Sequence, residues 1–282
     1  MKTILLTFDV EDWFQVENFK NYIPFSSWDD HELRVEKNIH LILDLLDSFP
    51  FQPKATFFIL GWIAKKLPGM VKEIHKRGHE LASHGNLHHL CTNQSFKEIE
   101  QDLKSGKALL EDIIGQKIYG YRAPSFAINN DILKIIHDTG HVYDSSYNSF
   151  SMHGRYGIIN ISDKSKKGIA YKITNDFFEL PVSNLTINHK TFPLGGGGYF
   201  RLIPFPLFKF GMNWVLNKDK AFLFYSHPWE FDPDQPRVKQ ASTGFKFRHY
   251  INLNQTRKKL ESLLKHFNNL KFISCIDYLR QT

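Results

Sequence analysis

The amino-acid sequence predicts an α/β protein, an irregular (β/α) barrel of seven to eight units, in a single domain spanning residues 1–282. Three observations support this prediction. Short β-rich runs alternate with amphipathic helical patterns along the chain. No linker rich in proline or serine divides it. The length of 282 residues suits one barrel, and with 42% hydrophobic residues the chain can bury a sizeable core.

The first half of the chain alternates regularly. Apolar residues recur on one face of segment 34–48, as is typical of a helix that packs outside a parallel sheet. A second helix is predicted from Ser95 to Ile114, because Ser95 and Glu98 fit a capping box and Gly115 ends the pattern. The other elements predicted here are the strands TILLTF at 3–8, ATFFIL at 55–60 and ELASH at 80–84, and a helix over 62–77.

The second half is less regular. Region 149–200 is rich in Gly, Ser, Lys and Asn, which predicts a loop excursion with one strand at Phe177–Val182. Within it, Gly195–Gly198 lacks the Lys-Ser/Thr of a phosphate loop and indicates either a backbone-exposing loop near a substrate mouth or a plain turn. The remaining predicted elements are a strand ending near Tyr121, a helix over Asn129–His137, a strand over Val142–Asp144, a helix near Pro206–Leu216, a strand over 221–227, a helix over Asn254–Phe267 and a strand over 271–276.

Charge and hydropathy limit the partners and the cellular location expected for the protein. The net charge is +7, but the basic residues are scattered and form no nucleic-acid-reading motif, so no nucleic-acid partner is expected. The first apolar run lacks a cleavage site, and no run approaches the roughly 18 residues that cross a bilayer. We therefore expect a cytoplasmic protein. Its basic surface would allow weak association with anionic lipid at the inner face of the cytoplasmic membrane.

Acids, histidines and an arginine follow the predicted strands, where (β/α) barrels carry their reactive groups. His84 and His88 have the His-x-x-x-His spacing, which on a helical turn places two imidazoles on one side of a divalent ion. Two histidines and one carboxylate are the ligand set of an open catalytic zinc-type site. Such a pair also arises by chance among 14 histidines. The residues at the strand ends are Asp9, Glu11, Asp12, His84, His88, Arg122, Asp144 and His227.

Four spaced motifs make the sequence resemble the NodB-homology polysaccharide deacetylases. They occur in family order and are Thr7-Phe8-Asp9 with the following acids, Ser83-His84-x-x-x-His88, Arg122-Ala123-Pro124-Ser125-Phe126 and Ser226-His227-Pro228. The resemblance is closest to the bacterial subgroup encoded beside exosortase and exopolysaccharide genes, and it covers nearly the whole chain. The stretches similar to that subgroup are residues 8–14, 196–201, 227–233 and 247–250.

The sequence departs from the family pattern at two places. The family has two adjacent aspartates after Thr-Phe, whereas here Val10 follows Asp9. The resemblance therefore implies that the metal carboxylate is Glu11 or Asp12, and we favour Asp12. The common Asp-Trp motif is not obvious; Asp144 stands in a related place, without a defined role.

The resemblance implies a metal-dependent deacetylase with one divalent ion, zinc by ligand type. Asp9 would be the general base, and Arg122 would pair with Asp9 and hold it ionised. His227 would protonate the departing amine, and a backbone N–H of the Ser125–Phe126 turn would help to stabilise the oxyanion. The implied metal ligands are Asp12, His84 and His88. The aromatic residues expected to contact the sugar are Trp13, Phe126, Tyr199 and Trp229.

The expected function is removal of N-acetyl groups from amino-sugar residues in exopolysaccharide biosynthesis. The substrate would be an acetylated polysaccharide or its lipid-linked precursor. Two alternatives stay open. One is hydrolysis of a small cyclic amide, although the long loops around 13–32 and 149–200 suit an open groove better. The other is a non-catalytic glycan-binding protein, which would have no need of the base or of the metal ligands.

Overall fold

The chain forms a curled, mostly parallel sheet surrounded by helices, in a computed structural model that describes residues 2–150 and 156–282. The strands are β1 (Thr3–Val10), β2 (Ala55–Ile59), β3 (Glu80–Ser83), β4 (Gly120–Tyr121), β5 (Tyr143–Asp144), β6 (Ser165–Lys167), β7 (Ala170–Lys172), β8 (Phe178–Glu179), β9 (Leu185–Ile187), β10 (Lys190–Phe192), β11 (Ala221–Ser226) and β12 (Lys271–Phe272). The α-helices are α1 (Val35–Asp47), α2 (Gly61–Lys66), α3 (Pro68–Lys76), α4 (Phe96–Ile114), α5 (Asn130–Asp138), α6 (Gly197–Leu202), α7 (Phe205–Asp219), α8 (Thr243–Tyr250), α9 (Thr256–His266) and α10 (Cys275–Gln281).

The main sheet has the order β11-β1-β2-β3-β4-β5-β8-β7-β6, and β12 pairs with the start of β1. Strands β11, β1 to β5, β8 and β12 run parallel, whereas β6 and β7 join the edge antiparallel. Helices connect most of the parallel strands, as parallel pairing requires. The predicted irregular (β/α) barrel is confirmed.

Irregular chain, and not a strand pair, closes the barrel between β8 and β11. The N–H of Ser183 donates to the carbonyl of Leu223 at 3.2 Å, and Ser183 Oγ accepts from the N–H of Leu223 at 2.8 Å. Gly195 donates to the carbonyl of Ser183 at 2.8 Å and accepts from the N–H of Tyr225 at 2.7 Å. The predicted excursion therefore supplies the last wall of the barrel. Its residues 151–155 lie outside the described part of the chain.

Side chains on the central strands alternate between the barrel interior and the helical layer. Leu5 on β1 lies in an interior cluster with Phe58 and Leu223. The even-numbered β1 residues Ile4, Leu6, Phe8 and Val10 pack instead in the cluster that contains the helical side chains of α1. Asp9 has the parity of Leu5 and so projects into the barrel.

Local signals account for the helix boundaries. The helix predicted over 62–77 is split by Pro68, because a residue before proline is driven out of the helical region, and Leu67 has φ −129° and ψ 57°. The strand predicted over 271–276 ends at Phe272, since Ser274 Oγ accepts from the N–H of Asp277 at 3.2 Å and starts α10. The predicted segment Phe177–Val182 contains β8, but β6, β7, β9 and β10 were missed. None of the described helices has the length and apolar character needed to cross a bilayer.

The capping box of α4 gives a test of local stability. Ser95 Oγ accepts from the N–H of Glu98 at 3.4 Å, and the Glu98 carboxylate accepts from the N–H of Ser95 at 2.8 Å. Ser95→Ala should therefore lower the free energy of unfolding by about 1 kcal/mol in urea denaturation. Ser105→Ala in the middle of the same helix is the control and should be neutral or slightly stabilising. Equal losses for both variants would contradict the capping role.

Candidate active site

Polar side chains gather at the carboxyl ends of the parallel strands, at one mouth of the barrel. Asp9 is the second-last residue of β1. His84 and Arg122 directly follow β3 and β4, and His227 directly follows β11. The cavity at this mouth is lined by the polar residues Asp9, Glu11, His84, His88 and His227, and by the aromatic residues Phe126, Tyr156, Tyr199, Tyr225 and Trp229.

Glu11, His84 and His88 form the group in the described chain that could hold a metal ion. One ligand atom from each lies within 4.8 Å of the others, and all three residues are buried. Nδ1 of His84 lies 2.8 Å from the carbonyl oxygen of Arg122, so this nitrogen carries the proton and Nε2 keeps its lone pair. Oε2 of Glu11 is buried without a well-aligned hydrogen bond, and Nε2 of His88 lies 2.7 Å from it. These residues fit a divalent ion of zinc type.

The two histidines do not share a helical turn. His84 follows β3 and His88 lies on an irregular loop in the left-handed region, with φ +58°. Asp102 on α4 shapes this loop, because its carboxylate accepts from the N–H groups of Asn86 at 2.8 Å and Leu87 at 3.3 Å. The helix therefore acts on the metal group through the loop backbone.

Asp12 does not join the histidines, which corrects the expectation that it is the metal carboxylate. Its Oδ2 accepts from the N–H groups of Arg34 at 2.7 Å and Val35 at 2.9 Å, and its Oδ1 accepts from the N–H of Trp13 at 2.8 Å. Asp12 therefore caps the start of α1. Glu11, the alternative, points into the barrel.

Arg122 and Asp9 form a buried ion pair inside the barrel. The NH1 group of Arg122 donates to Asp9 Oδ1 at 2.7 Å and to Thr7 Oγ1 at 2.8 Å. The other guanidinium nitrogens donate to the carbonyl and the hydroxyl of Ser145 at 3.0 Å and 2.8 Å. These bonds fix the Asp9 carboxylate, whose Oδ2 lies 4.0 Å from Nε2 of His227.

His227 is held between two acids. Its Nδ1 lies 2.9 Å from Glu230 Oε1, and its Nε2 lies 3.5 Å from Glu11 Oε1. Glu230 is in turn paired with Arg201, which donates from Nε at 2.7 Å. Gly197, next to this pair, has no room for a side chain, because a Cβ there would lie 2.1 Å from Glu230 Oε1. No role was predicted for Glu230 or Arg201, although the His-x-x-Glu spacing after β11 was an available signal for Glu230.

Electrostatics set different charges on these groups. Burial alone would lower the pKa of His227, but the hydrogen bond to Glu230 and the charges of Glu11, Glu230 and Asp9 raise it to about 9. Burial lowers the pKa of His84 to about 4. Burial would raise the pKa of Glu11, but its interactions with His88 and the charge of His227 bring it down to about 2. At neutral pH the cavity therefore contains a neutral His84, an ionised Glu11 and a cationic His227.

Three of the four aromatic residues predicted to contact the sugar line the cavity: Phe126, Tyr199 and Trp229. Trp13 does not, because its ring packs edge-on against Phe14 and His31 in the core. Trp229 also has a supporting role. It stacks on His227 with ring centroids 5.0 Å apart and donates from Nε1 to Glu11 Oε1 at 3.2 Å.

The Ser125–Phe126 turn lines the cavity in a strained backbone conformation. Ser125 has φ +52° and Phe126 has φ +57°, values that side-chain-bearing residues rarely adopt. The N–H of Phe126 donates to the carbonyl of Ala123 at 2.9 Å. That group is therefore engaged, which leaves the N–H of Ser125 as the candidate oxyanion donor of this turn.

Asp144 does not line the cavity. It is fully buried, and its carboxylate accepts from the hydroxyl of Ser146 at 2.6 Å and the N–H of Ser146 at 3.0 Å. Burial raises the pKa of Asp144 and of the neighbouring Glu179, and the Asp144 charge raises that of Glu179 further. Asp144 therefore has a structural place beside Ser145, the partner of Arg122.

Fold and site together define a (β/α) barrel with a two-histidine, one-carboxylate metal group beside a further carboxylate and a cationic histidine. The sequence profile described as "Polysaccharide deacetylase" matches residues 1–143, and that described as "Domain of unknown function (DUF3473)" matches residues 145–279. The chain belongs to the polysaccharide deacetylase family.

Curated relatives match part of the chain. It is 31% identical over 100 residues to a peptidoglycan-N-acetylglucosamine deacetylase of Bacillus cereus, covering 36% of this chain and 46% of the relative. It is 30% identical over 87 residues to a chitooligosaccharide deacetylase of Azorhizobium caulinodans, covering 30% of this chain and 41% of the relative. The matches thus span less than half of these relatives.

Solved structures share the fold. A Mycobacterium smegmatis structure assigned to the polysaccharide deacetylases has a TM-score of 0.64 at 19% identity, covering 99% of this chain and 89% of that one. A CE4 family pseudoenzyme from Bacillus anthracis, BA3943, has a TM-score of 0.53 at 14% identity, covering 98% of this chain and 64% of that one. Because the fold also occurs in a pseudoenzyme, the activity has to be argued from the site residues.

The contrast between Glu11 and Asp12 predicts different effects on metal binding. Glu11→Ala should weaken zinc binding by about 100-fold or more, because it removes a direct ligand group and not an outer one. Asp12→Asn should keep the zinc affinity and lower the stability, because it weakens the cap of α1. Zinc titration calorimetry and urea denaturation measure the two effects. Loss of zinc in Asp12→Asn and retention in Glu11→Ala would reverse the assignment.

The contact with Glu230 leads to a prediction for the pKa of His227. Glu230→Gln removes a charge that favours imidazolium, so the pKa of His227 should fall from about 9 by about one unit or more. His227 would then lose its proton at a lower pH, which an NMR titration of the metal-free protein measures. Glu17→Gln is the control, because Glu17 lines the same cavity but pairs with Lys20. An unchanged His227 pKa in Glu230→Gln would exclude this role.

Proposed function

We propose that the protein is a metal-dependent deacetylase that hydrolyses the N-acetyl group of amino-sugar residues in a polysaccharide or its lipid-linked precursor. The observation that carries the proposal is that one cavity combines a carboxylate base candidate, a cationic histidine and a two-histidine, one-carboxylate metal group. Each is a separate requirement of metal-assisted amide hydrolysis, and they come from distant parts of the chain.

The first half of the reaction needs a metal site and a base. Glu11, His84 and His88 would hold the ion, which when bound polarises a carbonyl and lowers the pKa of water. Asp9, fixed by Arg122, accepts the proton of the attacking water through its carboxylate.

The second half of the reaction needs a proton donor and an oxyanion donor. His227 gives its Nε2 proton to the departing amine nitrogen, and Glu230 keeps the ring cationic and oriented. We assign the N–H of Ser125, a residue that lines the cavity, as the protein donor to the developing oxyanion.

The substrate class follows from the mouth and from the relatives. Phe126, Tyr199 and Trp229 supply apolar faces on which a sugar ring can stack. Two relatives are named as deacetylases of peptidoglycan N-acetylglucosamine and of chitooligosaccharides. The resemblance to proteins encoded with exosortase genes supports a role in exopolysaccharide biosynthesis. We propose zinc as the ion, and a cytoplasmic site of action against the inner membrane surface.

The alternatives are less well supported. A cyclic-amide hydrolase needs a closed pocket, whereas this cavity is bordered by residues from seven separate stretches of the chain, among them Val16, Ser125, Tyr199 and Arg248. A non-catalytic glycan-binding protein would have no use for a cationic histidine held against the metal group. Both alternatives are separated from the proposal by measuring acetate release.

Release of acetate from an acetylated chitooligosaccharide tests the proposal. The zinc-loaded protein should release it, and chelation should abolish the reaction. Asp9→Asn should keep zinc and lower kcat by about 100-fold or more, as expected for loss of a general base. Asp29→Asn, an exposed aspartate paired with Lys66, is the control and should behave as the parent. Binding of the oligosaccharide without acetate release would favour the glycan-binding alternative, and loss of zinc in Asp9→Asn would make Asp9 a ligand.

A further inference from the structure

Helix α7 is apolar on the face that points away from the barrel. Leu207, Phe210 and Trp214 lie on that face at spacings of three and four residues and are 62%, 61% and 45% exposed. Leu202, the last residue of α6, is 48% exposed. We call these four residues the apolar stripe. A helix that is apolar on both faces is normally covered on both faces.

The barrel itself uses only the other face of α7. Phe208, Met212, Val215 and Leu216 are buried in the core, and the ring of Phe208 packs edge-on against Phe222 and Phe224 of the sheet. The helix is thus anchored without the apolar stripe. Folding of this chain therefore gives no reason for three large apolar side chains in water.

Cations border the stripe. Lys218 is exposed and follows Trp214 by four residues, so it lies on the same face of α7. Next to it in the chain, Lys220 donates to the carbonyl of Asn217 at 2.9 Å, and Lys2 donates to the side-chain oxygen of Asn217 at 2.5 Å. Asp219, the acid of α7, is paired with Lys166 at 2.9 Å. The charge left around the stripe is positive.

The charge of the whole chain is unevenly distributed in the same sense. Residues 185–271, which include α6 and α7, contain fourteen Lys and Arg and five Asp and Glu, a net charge of +9. The rest of the chain carries −2 of the total of +7. An apolar helix face with aromatic residues and surrounding lysines matches the two components of binding at a lipid surface, acyl-chain contact and attraction to anionic head groups.

We propose that the apolar stripe is a docking face for an anionic lipid surface, into which Phe210 and Trp214 insert. The stripe also lies close in the chain to the active-site mouth, because α6 carries both Tyr199, which lines the cavity, and Leu202. Docking would bring the mouth to the head-group level, where a lipid-linked sugar is presented. This inference rests on the proposed function only for the nature of the substrate.

Tryptophan fluorescence gives a direct readout, because Trp214 is exposed whereas Trp13, Trp28 and Trp229 are buried and Trp62 is half-buried. Vesicles of phosphatidylglycerol with brominated acyl chains should quench the full-length protein, and brominated phosphatidylcholine should not. Trp214→Phe should remove most of the quenching while the protein still sediments with the anionic vesicles. Raising the salt should weaken the binding.

A pair of substitutions then tests the stripe. Phe210→Ser should lower the vesicle partition coefficient about tenfold or more, because a Phe side chain no longer leaves water. Phe96→Ser on α4 is the matched control: Phe96 is 60% exposed but lies outside the basic segment, and its variant should bind as the parent does.

Other outcomes overturn the proposal. These are no sedimentation with anionic vesicles, equal binding to neutral vesicles, or equal effects of Phe210→Ser and Phe96→Ser. A concentration-dependent dimer in analytical ultracentrifugation that Phe210→Ser abolishes would assign the stripe to a second copy of the chain instead. Acetate release from a soluble chitooligosaccharide should not change in Phe210→Ser. If the parent fails in that assay but binds vesicles, the proposed function falls and the docking face stands.

Discussion

The site depends on a guanidinium that is completely enclosed by protein. Arg122 has no exposed surface and lies inside the barrel over the ring of Phe58, 4.1 Å from its centroid. A buried charge is tolerated only when its hydrogen bonds are satisfied and a counter-charge is present. The partners that meet this demand are Asp9 and Thr7 from β1 and Ser145 from the end of β5. One side chain thereby fixes the relative positions of three strand ends, and the carbonyl of the same residue orients His84.

From this cation the charges alternate across the cavity. Asp9 follows Arg122, His227 lies between Asp9 and Glu11 on one side and Glu230 on the other, and Arg201 neutralises Glu230. Arg201 also donates to the carbonyls of Arg248, His249 and Ile251, so the array ends on the backbone of α8 and the segment after it. Because each charge in this array has an opposite neighbour, the barrel can hold a carboxyl group and a cationic histidine about 4 Å apart. Acid and base chemistry in one cavity requires that arrangement.

Much of this could be read from the sequence, for a definite reason. Reactive groups of barrels follow strands, and the strand patterns around Asp9, His84, Arg122 and His227 are strong, so their convergence was predictable. The different places of Glu11 and Asp12 could not be read from strand alternation, because β1 ends at Val10: beyond the strand Glu11 lines the cavity, whereas Asp12 caps α1. The pairing of Arg201 with Glu230 could not be predicted, because the two residues meet only after α6 folds against the turn that follows β11, 29 residues further along the chain. The prediction that Trp13 lies at the sugar site was wrong for a related reason. Nearness in sequence to a site residue does not decide on which side of a turn a ring packs.

The two matched regions of the chain therefore divide the chemistry between them. Residues 1–143 supply Asp9, Arg122 and the group that could hold a metal ion, to which we assign the action on water and on the carbonyl. Residues 145–279 supply His227, its partners Glu230 and Arg201, and the aromatic residues Tyr199 and Trp229 at the mouth. Under the proposed assignment the site needs both regions, since Asp9 lies in the first and His227 in the second. The sheet joins them through β1, which pairs with β2 from the first region and with β11 from the second. Under the proposed function the second region would act on the leaving group and border the entrance, so we expect differences in substrate choice between relatives of this fold to arise there.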